Sequence, residues 1–588
     1  MRILILAAGL LIPPLLLADA SVWRVSEDGF DPKQTPRAVS VAGEEACLAY
    51  SDRDGRLMVR RPESPALALT APKRAAAGIA LESFGKRLYA AWLDAGPGDP
   101  PAIVLRWLNQ DGQWSDARRL DTATQPLPRI RLSGDPDGQL AVVWLGDAPD
   151  APDGNNPAGS EPVARTTPNY HLYGRLSADG GQTWGDVRRL TAGFENGFWP
   201  ALTMAGGRVH FFADARRDGE THLVHAQSDG AGGWTPAESI KTVGSVLLIA
   251  ATETGGEPLA LWFGTQGDGF SLESAVRKGA QWKTYRFPGS EDYDIGSMDL
   301  VAHGDQVYLV FSARPALVTA LPRKNHVYFT RSLDGGLSWE PIRHLRHDPF
   351  DLTQDHLPQI AVGPDGVLIV VWNDYRNIRG DLYYNVSVDG GASWLAQDRP
   401  LDMPGVNEET LFPFVNNLVL AHGVWHVLAA RYPDDGLTAA DLYLYPVPTT
   451  PTVLAADPLN DEDSLAKRAQ LEARVTAFWD ALRKADYATA YALYDPYFRR
   501  RMRQDDYIAQ SGRVRHHSFA IQEMQVTGNV AQVKVRFVYE IPKLTLPRGG
   551  TYDRPPTATE ITETWIFIDG QWHKEYHNEM GDFAFTRY

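Results

Sequence analysis

Leu382-Tyr-Tyr-Asn-Val386 followed by Ser387-Val-Asp-Gly-Gly-Ala-Ser-Trp394 is the stretch on which the reading of this chain turns. The first five residues alternate as a half-buried strand does, and the next eight read as a rigid hairpin. In such a turn Asp bonds nearby backbone N–H groups, Gly supplies positive φ, and Trp pins the loop to the sheet. The same phrase, S-x-D-x-G-x-x-W, occurs three times. Its fixed positions are Ser177, Asp179, Gly181 and Trp184, then Ser332, Asp334, Gly336 and Trp339, then Ser387, Asp389, Gly391 and Trp394. Recurrence at intervals indicates a modular β architecture.

The hairpins belong to a longer unit. Each unit has an apolar strand often starting at Pro, a Gly-bearing turn, and a very apolar strand ending in an aromatic. A polar loop, another alternating strand, and the hairpin or its remnant follow. The strand-ending aromatic recurs as Tyr50, Trp92, Trp144, Phe212, Trp262, Phe311 and Trp372, and Val424–Ala429 keeps the pattern without it. Degenerate hairpins end at Trp114, Trp234 and Trp282. A spacing of roughly 40–70 residues is that of four-stranded propeller blades.

The phrase resembles the Asp-box (BNR repeat) of sialidase-like β-propellers. The resemblance implies an all-β propeller over residues 21–447, here with eight repeat units, hence seven or eight blades, more than the six of sialidases. The strand Ser21–Val25 is expected to close the ring by pairing into the last blade.

Bulk properties narrow the function. The chain has 588 residues, 44% of them apolar, and a net charge of −16. Such a charge disfavours nucleic acid and anionic membranes as partners, and 588 residues call for more than one core. Arg2, the apolar run Ile3–Leu17 and Ala18-Asp19-Ala20 read as a signal peptide over 1–20, so no stable membrane insertion is expected after cleavage. The single cysteine, Cys47, excludes intramolecular disulfides and points to the bacterial periplasm or exterior.

Residues 448–463, rich in Pro, Thr and Asp, read as a linker. In 464–588 the period changes. Leu471, Val475, Phe478, Trp479 and Leu482 fall at helical spacing, two shorter helices follow at 487–494 and 504–510, and four strands end the chain. This order resembles the small α+β cone of NTF2-like domains, which implies an accessory or assembly role and a homodimer contact. Trp479, Tyr491, Trp565 and His573 are candidates to line its pocket or to fill its core. Arg499–Arg503 is expected in a solvated turn, and His516-His517 on the surface.

Blade topology puts the hairpins at one end, as scaffold, and the second-to-third loops and blade entries at the other. That far rim carries Arg216, Arg314, Asp355, His356, Asp374, Tyr375, Arg376 and Arg431. An arginine cluster suits a glycan carboxylate or an extracytoplasmic protein. The family chemistry implies a glycosidase or lyase on acidic sugars, with Tyr375 or Tyr293 as nucleophile and Asp355 as acid. The family's R-I-P arginine is missing: Gln34, Pro126, Phe198 and His356 stand two residues before Pro36, Pro128, Pro200 and Pro358. Arg37 and Arg129 follow their prolines and are expected to point elsewhere. The alternative for Trp372-Asn-Asp-Tyr-Arg376 is a self-satisfied turn. The sequence shows no metal-ligand motif, no phosphate loop and no cofactor signature.

Overall fold

The computed structural model describes residues 22–26, 36–41, 44–61, 64–109, 111–122, 129–147, 170–267, 269–316, 324–345, 353–378, 380–401, 411–432, 441–449, 461–545, 551–568 and 570–576. The signal-peptide segment, most of the linker and Glu408-Glu409 lie outside them. Eight antiparallel sheets succeed one another along the chain before a ninth, separate one. Seven of the eight have four strands, and the fourth carries an extra short strand, Asn196–Gly197. The first strands of successive sheets pack side by side, and Leu411–Ala421 of the eighth returns to Arg37–Val41 of the first, so the ring closes. The architecture is propeller-like.

Closure is made by the N-terminus. Trp23 and Arg24 pair with Leu444 and Tyr443, so the outermost strand of the eighth sheet comes from the start of the chain. The second strands are the most apolar because sheet neighbours flank them and adjacent sheets cover both faces. All of Leu368–Asp374 is buried, as are Trp92, Trp144, Phe212, Trp262, Phe311 and Trp372.

The hairpins behave as their composition dictates. Ser Oγ lies 2.8 Å from Asp Oδ1 in all three. The serine oxygen also accepts the N–H of Gly181, Gly336 and Gly391 at 2.8–2.9 Å. These glycines have φ of 90°, 85° and 78°, where a Cβ would be strained. Trp339 Nε1 donates to Ser274 Oγ of the preceding sheet, and Trp394 meets the preceding sheet's Phe329 edge-on. Each tryptophan therefore bolts two sheets together.

The C-terminal region has four helices, α1 (Asp461–Arg483), α2 (Tyr487–Ala492), α3 (Pro496–Arg501) and α4 (Gln504–Gln510). They precede a four-stranded antiparallel sheet, Arg515–Lys574. Helix α3 corrects the expected solvated turn at Arg499–Arg503. Asp495 caps Phe498 N–H at 2.7 Å, Pro496 sits at the first turn, and Arg499–Arg501 fall in the last turn, where cations suit the dipole. Trp479 and Trp565 are core: both indoles donate to the buried Glu563 Oε2 at 3.2 Å. Tyr491 and His573 are buried with them. His516 is half-buried beside Trp479 and Phe537, and only His517 is exposed, paired with Glu540.

This region sits on the ring. Asn529 N–H donates to Arg376 O at 2.7 Å, and Ile378 packs with Val530, Ile566 and Ile568. Gly528 passes so close that a Cβ there would lie 2.6 Å from Arg376 O.

Candidate functional site

The two ends of the ring differ as topology requires. Gly180 N–H donates to Gly138 O and Gly335 N–H to Asp305 O, each at 2.8 Å, so the hairpins share an end with the first-to-second turns. The opposite rim holds the loops expected to carry function.

Its arginines are engaged by the protein itself. Arg376 donates from Nε to Asp374 Oδ1 (2.9 Å) and from one terminal nitrogen to Asp374 Oδ2 (2.7 Å) and Asp398 Oδ2 (2.8 Å). Its guanidinium also stacks 4.2 Å from the Tyr383 ring centroid, and the C-terminal region contacts its backbone. The self-satisfied turn is the observed arrangement for Arg376 and Asp374, whose charged groups bond each other. Arg314 pairs with Asp294 at 2.8 Å and Arg216 with Glu195 at 3.8 Å. Arg431 lies over Tyr443, 5.3 Å from its ring centroid.

The remaining rim candidates do come together. Asp355 is fully buried with its carboxylate 3.8 Å from His326 Nδ1. His356 Nδ1 is 3.2 Å from Asn325 Nδ2, and the Tyr375 ring meets the His356 ring edge-on. Burial, then the neighbouring His326, lowers the His356 pKa, so this imidazole is neutral at neutral pH. Tyr293 stands apart from Tyr375, packed on Phe311 and Tyr328, with its phenol pushed up by burial and then by Asp292.

A charged cavity lies elsewhere. The ring's channel encloses about 1110 Å³, lined by first-strand residues that include Arg37, Glu82, Arg131, Asp299, Gln359 and Asn417. It reaches Gly85, His303 and Gly363-Pro364, the turns at the hairpin end. Asp299 and Asn417 are staples between sheets: Asp299 Oδ2 accepts Ile360 N–H at 2.9 Å, and Asn417 Oδ1 accepts Ala38 N–H at 3.3 Å. Burial pushes the Asp299 carboxyl up to about 6.

Arg37 and Arg131 are not spent in this way. Arg37 Nε donates to Ile79 O at 3.4 Å and Arg131 to Ile130 O at 3.1 Å; among the described residues neither makes an ion pair. Glu82 lies in the field of both, and although its side chain is open to the channel, desolvation by the surrounding channel walls outweighs their attraction and raises its carboxyl to about 7. Burial, then the neighbouring Arg37 and Arg129, lowers Arg131 to about 10, still cationic at neutral pH. The cluster is an electropositive point inside an acidic protein, with guanidinium donors to spare.

The expectation that Arg37 points elsewhere is thus corrected, whereas Arg129 does turn away, stacked on Trp199 at 3.5 Å. Arg131 and Glu82 carried no sequence signal as a pair. They sit on first strands of different sheets, and register shifts such as that at Ala77/Ala80 break simple alternation. Among the described residues no cluster of His, Cys, Asp or Glu has the geometry to hold a metal. Among them, too, no helix is long and apolar enough to cross a membrane.

No family model matches the sequence, and no curated protein matches it. Among solved structures the chain is similar to the polysaccharide lyase Uly1, at 11% identity and a TM-score of 0.42, covering 71% of this chain and 99% of that one. It is similar to the Trypanosoma rangeli sialidase at 10% identity and a TM-score of 0.31, covering 79% and 85%. It is also similar to the intramolecular trans-sialidase of Ruminococcus gnavus, at 10% identity and a TM-score of 0.32, covering 63% and 93%.

Proposed function

We propose that this chain is an exported, eight-bladed Asp-box propeller with a C-terminal NTF2-like domain, and that it recognises an acidic glycan in its channel. The observation that carries this is the pair Arg37 and Arg131, both without an ion pair among the described residues, flanking Glu82 in a cavity of about 1110 Å³. Guanidinium forks match carboxylate and sulfate oxygens, and the amides of Gln359 and Asn417 suit hydroxyls. A cavity of that size accommodates a short oligosaccharide. That the ligand is a glycan rests on the resemblance of the hairpins; that it is anionic rests on the channel.

The test is calorimetric titration of the full chain with uronate, sulfated, sialylated and neutral oligosaccharides, repeated with Arg131→Gln. Binding of an acidic member, weakened about tenfold or more by loss of the charged donor, supports the reading. Equal affinity for neutral sugars, or indifference to Arg131→Gln, refutes it.

A second reading, a hydrolase or lyase for acidic sugars, is favoured by one observation: the rim group in which Tyr375 abuts His356 while His326 faces Asp355. Histidine and tyrosine are apt proton-transfer groups. Release of unsaturated or free sugar, lost in His356→Gln, marks this reading, and binding without product marks recognition. An extracytoplasmic protein partner fits silence on both assays. Dimerisation through the C-terminal domain predicts that removing residues after Pro448 changes the oligomeric state.

A further inference from the structure

Gly85 lines the channel cavity, and it lines a second cavity as well, outside the ring at the hairpin end. This outer groove, about 650 Å³, includes Lys86, Arg87, Trp107, Asn109 and Gln182 in its walls. It lies between the second and third sheets. Arg87 opens the second strand of the second sheet, and Trp107 ends that sheet's third strand. Gly180 and Gln182 belong to the hairpin of the third sheet.

The chemistry of the wall is specific. Trp107 is half-buried on the hydrophobic cluster beneath it, and its indole N–H makes no hydrogen bond among the described residues. Lys86, Asn109 and Gln182 are exposed, and Arg87 is half-buried. Arg87 packs its guanidinium against Gly180, at a place where a Cβ would collide with it; φ there is 71°. Glycine is thus needed twice at this position, for the turn and for the arginine. Neither Lys86 nor Arg87 forms an ion pair among the described residues; Asp111 is the one acid in the wall.

We propose that this outer groove is a second saccharide subsite, which holds an anionic sugar unit of the same chain whose end occupies the channel. The proposal rests on the channel reading. The aromatic face of Trp107 takes the C–H face of a sugar ring. Lys86 and Arg87 take its carboxylate or sulfate, and Asn109 and Gln182 bond its hydroxyls. Because the two cavities share Gly85, one oligosaccharide can occupy both, and the second contact is made at high effective concentration. The protein therefore selects for chain length as well as charge.

The experiment is calorimetry on the full chain with oligogalacturonates from dimer to hexamer and with a sulfated hexasaccharide series. Wild type is compared with Lys86→Glu, Trp107→Ala and Arg131→Gln. Lys86 is exposed, so its reversal leaves the fold intact, and thermal melts check Trp107→Ala. The expected result is that Lys86→Glu and Trp107→Ala each weaken hexamer binding about tenfold or more and leave dimer binding unchanged, while Arg131→Gln weakens both. The series that shows the loss identifies the acid group. Hexamer affinity unchanged in both groove variants, with Arg131→Gln still weakened, overturns the groove and leaves the channel reading standing. Loss in the groove variants alone keeps the groove and removes the channel. Absence of any binding by wild type overturns both.

Discussion

Replacing Arg376 with Ala is the most searching test of how the rim is built. The side chain is 14% exposed, and the two carboxylates it joins, Asp374 and Asp398, are 0% exposed. Three charge-assisted hydrogen bonds disappear, and two buried anions lose the guanidinium that joins them. Partial compensation remains. Asp374 keeps Trp372 Nε1 at 3.1 Å and Arg376 N–H at 2.9 Å, and Asp398 keeps Asn385 Nδ2 at 3.2 Å. Breaking a buried pair by removing one partner costs about 3–5 kcal/mol, and the retained bonds place this case toward the lower end. Chemical unfolding of the full chain measures the loss, and hydrogen exchange on peptides spanning 368–387 and 527–530 locates it. The second segment responds because Asn529 and Val530 rest on this loop.

The pH dependence follows from the same reasoning. In the variant the carboxylates are buried without their guanidinium, so the folded state binds protons more tightly than the unfolded chain. The deficit therefore shrinks as pH falls into the carboxylate range and grows as pH rises out of it. A loss below about 1 kcal/mol, the range of an exposed pair, or a deficit indifferent to pH, refutes the reasoning.

Three further outcomes are expected. Glu82, raised to about 7, is largely protonated below that pH and charged above it, so affinity for an acidic saccharide falls as pH rises through about 7; titrations across pH show this, and Glu82→Gln flattens it. Gly391→Ala puts a Cβ 2.6 Å from Phe329 Cζ at φ 78°, and costs about 2 kcal/mol or more in chemical unfolding from strain and overpacking. Asp389, held down at about 2 chiefly by the Ser393 hydroxyl, has a depressed folded pKa. Its contribution is present above the ordinary value of 3.8 and is lost as pH falls through about 2, so the stability deficit of Asp389→Ala vanishes over that acid window.

What the sequence made legible was local. Ser387–Trp394 declares its turn because Ser, Asp, Gly and Trp all act within eight residues, and Val25 finds its partner near Leu442 because an apolar strand at the start needs an edge. Helical spacing at Leu471, Val475 and Phe478 announces α1 for the same reason. The candidate site was not legible. Arg37, Glu82 and Arg131 are 45 and 49 residues apart in turn, and each alone reads as an ordinary strand residue. The Arg376 loop was half legible: a cation two residues after an acid suggests the self-satisfied turn, but the sequence shows neither Asp398 as second partner nor the turn at Gly528 that covers it.

The union of Trp23-Arg24 with Leu444-Tyr443 also sets the order in which the protein assembles. Each of the first seven sheets draws all its strands from one stretch of chain and can form as that stretch emerges; the eighth cannot, because its outermost strand was made first and its others come last. Until residues 411–421 are available the opening sheet has no neighbour on one side, and until 441–447 follow, the N-terminal strand has no partner. Completion is therefore a single late event with a very long loop to close, the kind of step that topology makes slow. A chain cut short before residue 441 carries an incomplete ring with bare strand edges, and its fate is association with other chains rather than a smaller version of the same fold.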